Sequence, residues 1–213
     1  MSVLYPSTVP AYAGFDPLLP KVYAGAPGLP ETAAEHYLRD AAIRFCEATG
    51  WLQRDVRFPT ACGLCVYPLL PSECERVVRV QRVWFGHRRY NEWQDDGVTF
   101  AVDAIDTPDA AVELDAEPDG CEPLNVRYIA TPTRDACVID VRLAEEWGHT
   151  LVEGALSTLT LLPDQPFSNP AMAAIYARQF DDDVRRARVR RITGRKGGKG
   201  GVQSMTTGNP IVI

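Results

Sequence analysis

The sequence predicts an α+β fold. The expected form is a small helical bundle, built from one N-terminal helix and a C-terminal helical hairpin, with an inserted antiparallel β domain and extended termini. Three observations predict it. Apolar residues recur at helical spacing over 30–51 and again over 143–192. Between them the helical period disappears, and β-branched runs alternate with turn dipeptides. At both ends, proline- or glycine-punctuated stretches show neither period.

The first helix is expected from Pro30, a residue suited to a first helical position, with Glu31 at the positive end of the dipole. Ala34, Tyr37, Leu38, Ala41, Phe45 and Cys46 share one face, opposite Glu35, Arg39, Asp40, Arg44 and Glu47. Gly50 suits the left-handed stop position, with Trp51 folding back over Cys46. Strands are expected at Val77–Phe85, Val98–Val102 and Val138–Val141. Another is expected where Leu124, Val126 and Tyr128 alternate with Asn125 and Arg127. Asp95-Asp96-Gly97 and Asp119-Gly120 supply turns. Short turns without a helical crossover imply antiparallel pairing. Helix returns near Leu143, with Trp147, Leu151, Ala155, Thr158 and Leu162 on one face and Pro163 as its stop. Asn169-Pro170 opens the last helix, which carries Met172, Ile175, Tyr176, Phe180 and Val184 on one side. The resulting division is an arm at 1–29, a bundle at 30–53 and 142–193, a β domain at 54–141 and a basic tail at 194–213.

Charge is segregated along the chain. All 28 Asp and Glu residues precede Val184, so residues 1–183 carry 14 cations and a net charge of −14. Residues 184–213 carry eight cations, no acid and a net charge of +8. With 213 residues and 46% apolar content, the chain is long enough for a real core, and no apolar run approaches a membrane span. The start, Met1-Ser2-Val3-Leu4-Tyr5-Pro6, does not read as a secretory signal, so the six cysteines are expected as thiols in a reducing cytosol.

Few motifs point to chemistry. Cys62-Gly63-Leu64-Cys65 has metal or redox spacing, but a zinc ribbon needs a second close pair, and Cys46, Cys74, Cys121 and Cys137 form none. Val66-Tyr67-Pro68 continues an extended segment, where a thioredoxin-like site would start a helix. Buried structural cysteine is the expectation. Glu146 and His149 have the Glu-x-x-His spacing of di-iron bundles, with Glu153 one turn on, but a second such pair is required. A solvated or interface helix face is expected instead. The sequence contains no zincin, nucleophile-elbow, phosphate-loop or dinucleotide motif, and its three histidines show no triad order. No metal, cofactor or catalytic residue is assigned.

The basic tail has three readings. It is a nucleic-acid arm with steep salt dependence, a segment that docks on a protein surface, or a solvated tail. Docking ranks first, because the acidic remainder of the chain repels nucleic acid. The docking residues are then Arg188, Arg191, Arg195, Lys196 and Lys199, with Ile211, Val212 and Ile213 as an apolar anchor.

The order and spacing of several segments resemble the head-to-tail adaptor (connector, or tail-tubular-A-like) proteins of tailed bacteriophages. They are Tyr23-Ala24-Gly25-Ala26-Pro27-Gly28-Leu29-Pro30, then Leu38 through Cys46, Asn125-Val126-Arg127-Tyr128 and Thr131 through Ala136. The likeness is clearest from Glu145-Glu146-Trp147 to Gly154-Ala155-Leu156, in Leu162-Pro163, and in Pro166 through Pro170. It covers most of residues 20–193 and is loose in the middle. The resemblance implies a structural virion protein without catalytic residues or cofactors. It implies a ring, typically dodecameric, that joins the capsid portal to the tail, lines the DNA channel and reaches onto the portal with its C-terminal segment, so that the docking residues above would be portal-docking. Its partners would be further copies of itself, the portal and a tail or neck protein, with DNA in transient passage and no membrane. It would be made in the host bacterial cytoplasm and reside at the head–tail junction of the virion. The alternatives are another tail ring component, such as a completion or terminator protein, a thiol- or metal-dependent enzyme, and a tail-driven nucleic-acid binder.

Overall fold

A computed structural model of the chain describes residues 10–86, 100–107, 109–118, 120 and 122–193. The described elements run β1 (Tyr12–Gly14), α1 (Leu19–Gly25), α2 (Glu31–Thr49), β2 (Gln53–Phe58), β3 (Val66–Pro68) and β4 (Glu75–Phe85). They continue with β5 (Phe100–Asp103), β6 (Ala111–Leu114), β7 (Leu124–Pro132), β8 (Val138–Asp140), α3 (Val141–Leu159) and α4 (Pro170–Thr193). The fold is α+β, and every described strand pair is antiparallel.

Local chemistry explains the helix ends. Pro30 stays extended (φ −62°, ψ 143°), and its carbonyl accepts from Ala33 and Ala34 as α2 begins. Gly50 adopts φ 60°, ψ 38°, the left-handed stop that favours glycine, and its N–H donates to the Cys46 carbonyl at 2.7 Å. Asp140 caps α3 by accepting from the Arg142 N–H at 2.8 Å, and Asn169 accepts from Met172 N–H at the start of α4.

α2 packs against both α3 and α4, as the apolar stripes require. α3 is the central helix, buried almost all round from Leu151 to Ser157. At Gly154 the three helices come close together. A Cβ there would lie 2.7 Å from the Phe180 ring and 3.0 Å from the Ala41 methyl. On α4 the buried face is Ala173, Phe180, Val184 and Ala187, whereas Ile175 is exposed. That differs from the apolar stripe expected there, because small alanines, not the larger Ile175, suit the close approach.

The N-terminal arm is a correction. Residues 1–29 were expected to be extended, yet β1 pairs with β8, and α1 follows. Phe15, Leu18, Leu19, Val22 and Ala26 are buried. Their spacing is helical, but Pro17 and Pro20 disguise it; Pro20 lies in the first turn of α1, where its missing N–H costs nothing. Residues 1–9 of the arm lie outside the described residues.

The central sheet is ordered β2-β7-β4, with Val126 opposite both Val56 and Val83. Register shifts at Val77/Arg79 and Val80/Arg82 mark bulges in β4. Leu124, Val126 and Tyr128 are buried in alternation, and from Ile129 to Pro132 β7 is buried continuously, in the stretch where α2 lies against the strand. A second sheet is ordered β3-β6-β5. One hydrophobic cluster joins the helices, β7, Tyr67, Val112 and Leu114 of the second sheet, and Leu69 just after β3. The expected turn Asp95-Asp96-Gly97, Val98 and Asp119 fall outside the described residues.

Arg54 ties the sheets to the bundle. Its guanidinium pairs with Glu75 and, at 2.8 Å, with Asp140, all three being largely buried. Burial opposes the Arg54 charge, but the Glu75 and Asp140 carboxylates outweigh it and hold the pKa above the ordinary arginine value. For Asp140 burial pushes upward, and hydrogen bonds from Arg142 and Arg54 reverse that, leaving the carboxyl below its usual value.

Candidate functional site

The C-terminal ends of α2 and α4 meet in a cationic surface. α2 stops at Gly50 with outward-pointing carbonyls, the negative end of its dipole. Arg188 Nε donates to the Ala48 carbonyl at 2.7 Å, and Arg191 reaches the Gly50 carbonyl at 3.5 Å. Two of the expected docking residues therefore also cap α2. Arg79 joins them from the bulged stretch of β4: its guanidinium lies 3.4 Å from where a Cβ on Gly50 would sit. Burial, then the charges of Arg79 and Arg188, lower the Arg191 pKa from the ordinary arginine value. Among the described residues, no carboxylate pairs with Arg79, Arg188 or Arg191. A capping bond uses one N–H of a guanidinium that has five, so most of its donors still point elsewhere.

Arg190 is held differently. It pairs with Glu146 at 2.6 Å and lies over the rings of Trp51 (5.4 Å) and Trp147 (5.8 Å). The two indoles meet edge to face at 5.2 Å, so Trp51 packs toward α3 and α4 after the chain leaves α2. Trp51, Leu52, Arg142, Glu146, Arg190 and Arg191 line an open depression beside this stack.

The structure brings Arg188 and Arg191 together, while Arg195, Lys196, Lys199, Ile211, Val212 and Ile213 lie outside the described residues. Arg79 was missed by sequence reading. The only local signal was the left-handed stop at Gly50, which announces a cation-seeking helix end without naming the cation.

The remaining motifs take other places. Cys62 is exposed and Cys65 half-buried, which corrects the expectation of buried cysteines. The reason is local: Gly63 at φ 80° turns the segment outward before β3 begins. Cys46 is buried, and burial raises its thiol pKa strongly. Glu146 and His149 face different partners, Arg190 and Glu153. Glu153, expected on a solvated or interface face, is buried at the α3–α4 contact, with its Oε2 lacking a hydrogen-bond partner and Oε1 3.4 Å from His149. No group of three His, Cys, Asp or Glu side chains suited to a metal ion occurs among the described residues, and no described helix is long and apolar enough to cross a membrane. No protein-family model and no curated protein matches the chain.

Proposed function

We propose that this chain is a structural virion subunit, a head-to-tail adaptor that assembles as a ring between the capsid portal and the tail. The observation that carries the reading is the segregation of charge: an acidic body with net −14 over residues 1–183, and an acid-free cationic end from residue 184. An acidic wall lets DNA pass without adhering, while a cationic end docks on a protein surface. The α2–α3–α4 bundle, with antiparallel sheets packed against it, agrees with the architecture the resemblance implies. The exposed Arg188 and half-buried Arg191 near the end of α4 support docking, since each guanidinium keeps donors beyond the α2 carbonyl it caps. The protein acts by position and contact rather than by catalysis.

The test is assembly. Purified protein should form rings with a central channel in electron micrographs, alone or on portal-bearing heads of the encoding phage, and should join those heads in sedimentation. Protein that binds neither itself nor such heads at micromolar concentration would overturn the reading.

A further inference from the structure

We propose that the outer face of the β3-β6-β5 sheet of one copy docks on the Arg79–Arg188–Arg191 cluster of the next. This deepens the ring reading and rests on it, naming the two surfaces in contact. Two features of the sheet suit a partner. Neither β3 nor β5 pairs with another strand on its outer side among the described residues. Its solvent side is also partly apolar. Val66 stands in one cross-strand row with Glu113 and Ala101, and Pro68 in the next with Ala111 and Asp103. Val66 is exposed, as are Leu64 and Leu70 flanking β3 and Ile105 after β5.

Charge selects the occupant. Residues 100–122 contain eight acids and no lysine or arginine. Asp103, Asp109, Glu113, Asp115 and Glu117 are exposed, and none is ion-paired among the described residues. Asp106 differs, being paired with Arg76. A sheet face rimmed with carboxylates fits a partner that offers guanidinium groups. The adjoining ends of α2 and α4, with Arg79 beside them, offer such a surface. Among the described residues, Arg79, Arg188 and Arg191 lack carboxylate partners. Planar guanidinium forks match carboxylates in pairs, and each surface carries the charge the other lacks.

The geometry has a consequence for assembly. A sheet face of one copy on a helix end of another joins two different surfaces, so the contact is heterologous and propagates into a closed ring or an open chain. Duplex DNA is the rival occupant of the arginines, and the net charge of −14 over residues 1–183 opposes it.

The experiment is a charge swap on the full chain. Arg79→Glu changes an exposed side chain and leaves the capping bonds of Arg188 and Arg191 in place. The double variant Asp103→Lys/Glu113→Lys changes only the exposed face of the sheet. Circular dichroism and thermal melting establish that each variant is folded. Each set alone should raise the concentration for half-assembly, read by sedimentation velocity at low salt, at least about tenfold. The combined variant should recover most of the wild-type value. Folded single-set variants that assemble like wild type, or a combined variant no better than either set, would overturn the pairing. Loss of binding to a fluorescent DNA duplex by Arg79→Glu, with assembly unchanged, would also overturn it and assign the arginines to phosphate. A wild-type chain that never self-associates removes the ring reading itself, whereas assembly indifferent to the swaps removes only this contact.

Discussion

Glu153 shows how one residue can work against the fold that contains it. It sits on α3 under α4, with Oε2 unpartnered. Burial raises its carboxyl pKa; His149 and Arg186 pull it down, while Asp183, which accepts from Thr150 at 2.7 Å, pushes it up. A raised folded pKa means that ionisation penalises the native state as pH climbs through that value, and that the penalty vanishes below the ordinary carboxylate range. Glu153→Gln should therefore stabilise the chain by about 1 kcal/mol near neutral pH and by nothing near pH 4, as read by urea denaturation. Asp140 has the opposite sign. Its folded pKa is lowered, so its contribution is present above the ordinary carboxylate value and is lost as pH falls through the folded one. Asp140→Asn should weaken the Arg54 network and the α3 cap by roughly 3 kcal/mol in the same assay at neutral pH, because Arg54 would stay largely buried with one carboxylate fewer.

At the scale of elements, the bundle depends on how closely α3 approaches its neighbours. Gly154 provides that closeness by lacking a Cβ between Ala41 of α2 and Phe180 of α4. Alanine improves helix propensity by about 1 kcal/mol, but the added methyl meets one neighbour whose methyl is attached directly to the α2 backbone. Gly154→Ala should lose about 1–2 kcal/mol net, measured by chemical denaturation. A variant as stable as the parent would show that α4 shifts freely on the pair. Arg44 reinforces the same contact: it donates to the Gly154 carbonyl at 2.7 Å and lies over the Phe180 ring at 5.2 Å. An arginine placed opposite the apolar stripe of α2 thus joins all three helices.

For the molecule as a whole, the question is what the basic end does. Residues 194–213 add three cations and the terminal Ile211-Val212-Ile213 to the arginines of α4. About twenty residues extend on the order of 60 Å, and a ring repeats each weak contact at every subunit. Deleting 194–213 should leave the melting temperature within about 2 °C of the full chain, while weakening attachment to filled and empty heads alike. Equal attachment by the truncated chain would remove the docking role. A loss confined to DNA-filled heads would reassign the segment to nucleic acid.

Helix α2 with its Gly50 stop, the α3–α4 hairpin with its Asn169 cap, and the alternation in β7 were legible in the sequence, because caps, periods and turn residues act over a few neighbours. Short strands such as β3 and β6 were not, since three or four residues carry too little pattern to be read without their partners. The burial of the arm and of Glu153, and the meeting of Arg79 with Arg188 and Arg191, were decided only in the tertiary structure. These depend on contacts between residues up to about a hundred positions or more apart in the chain, and local spacing holds no record of which distant side chain fills a given place.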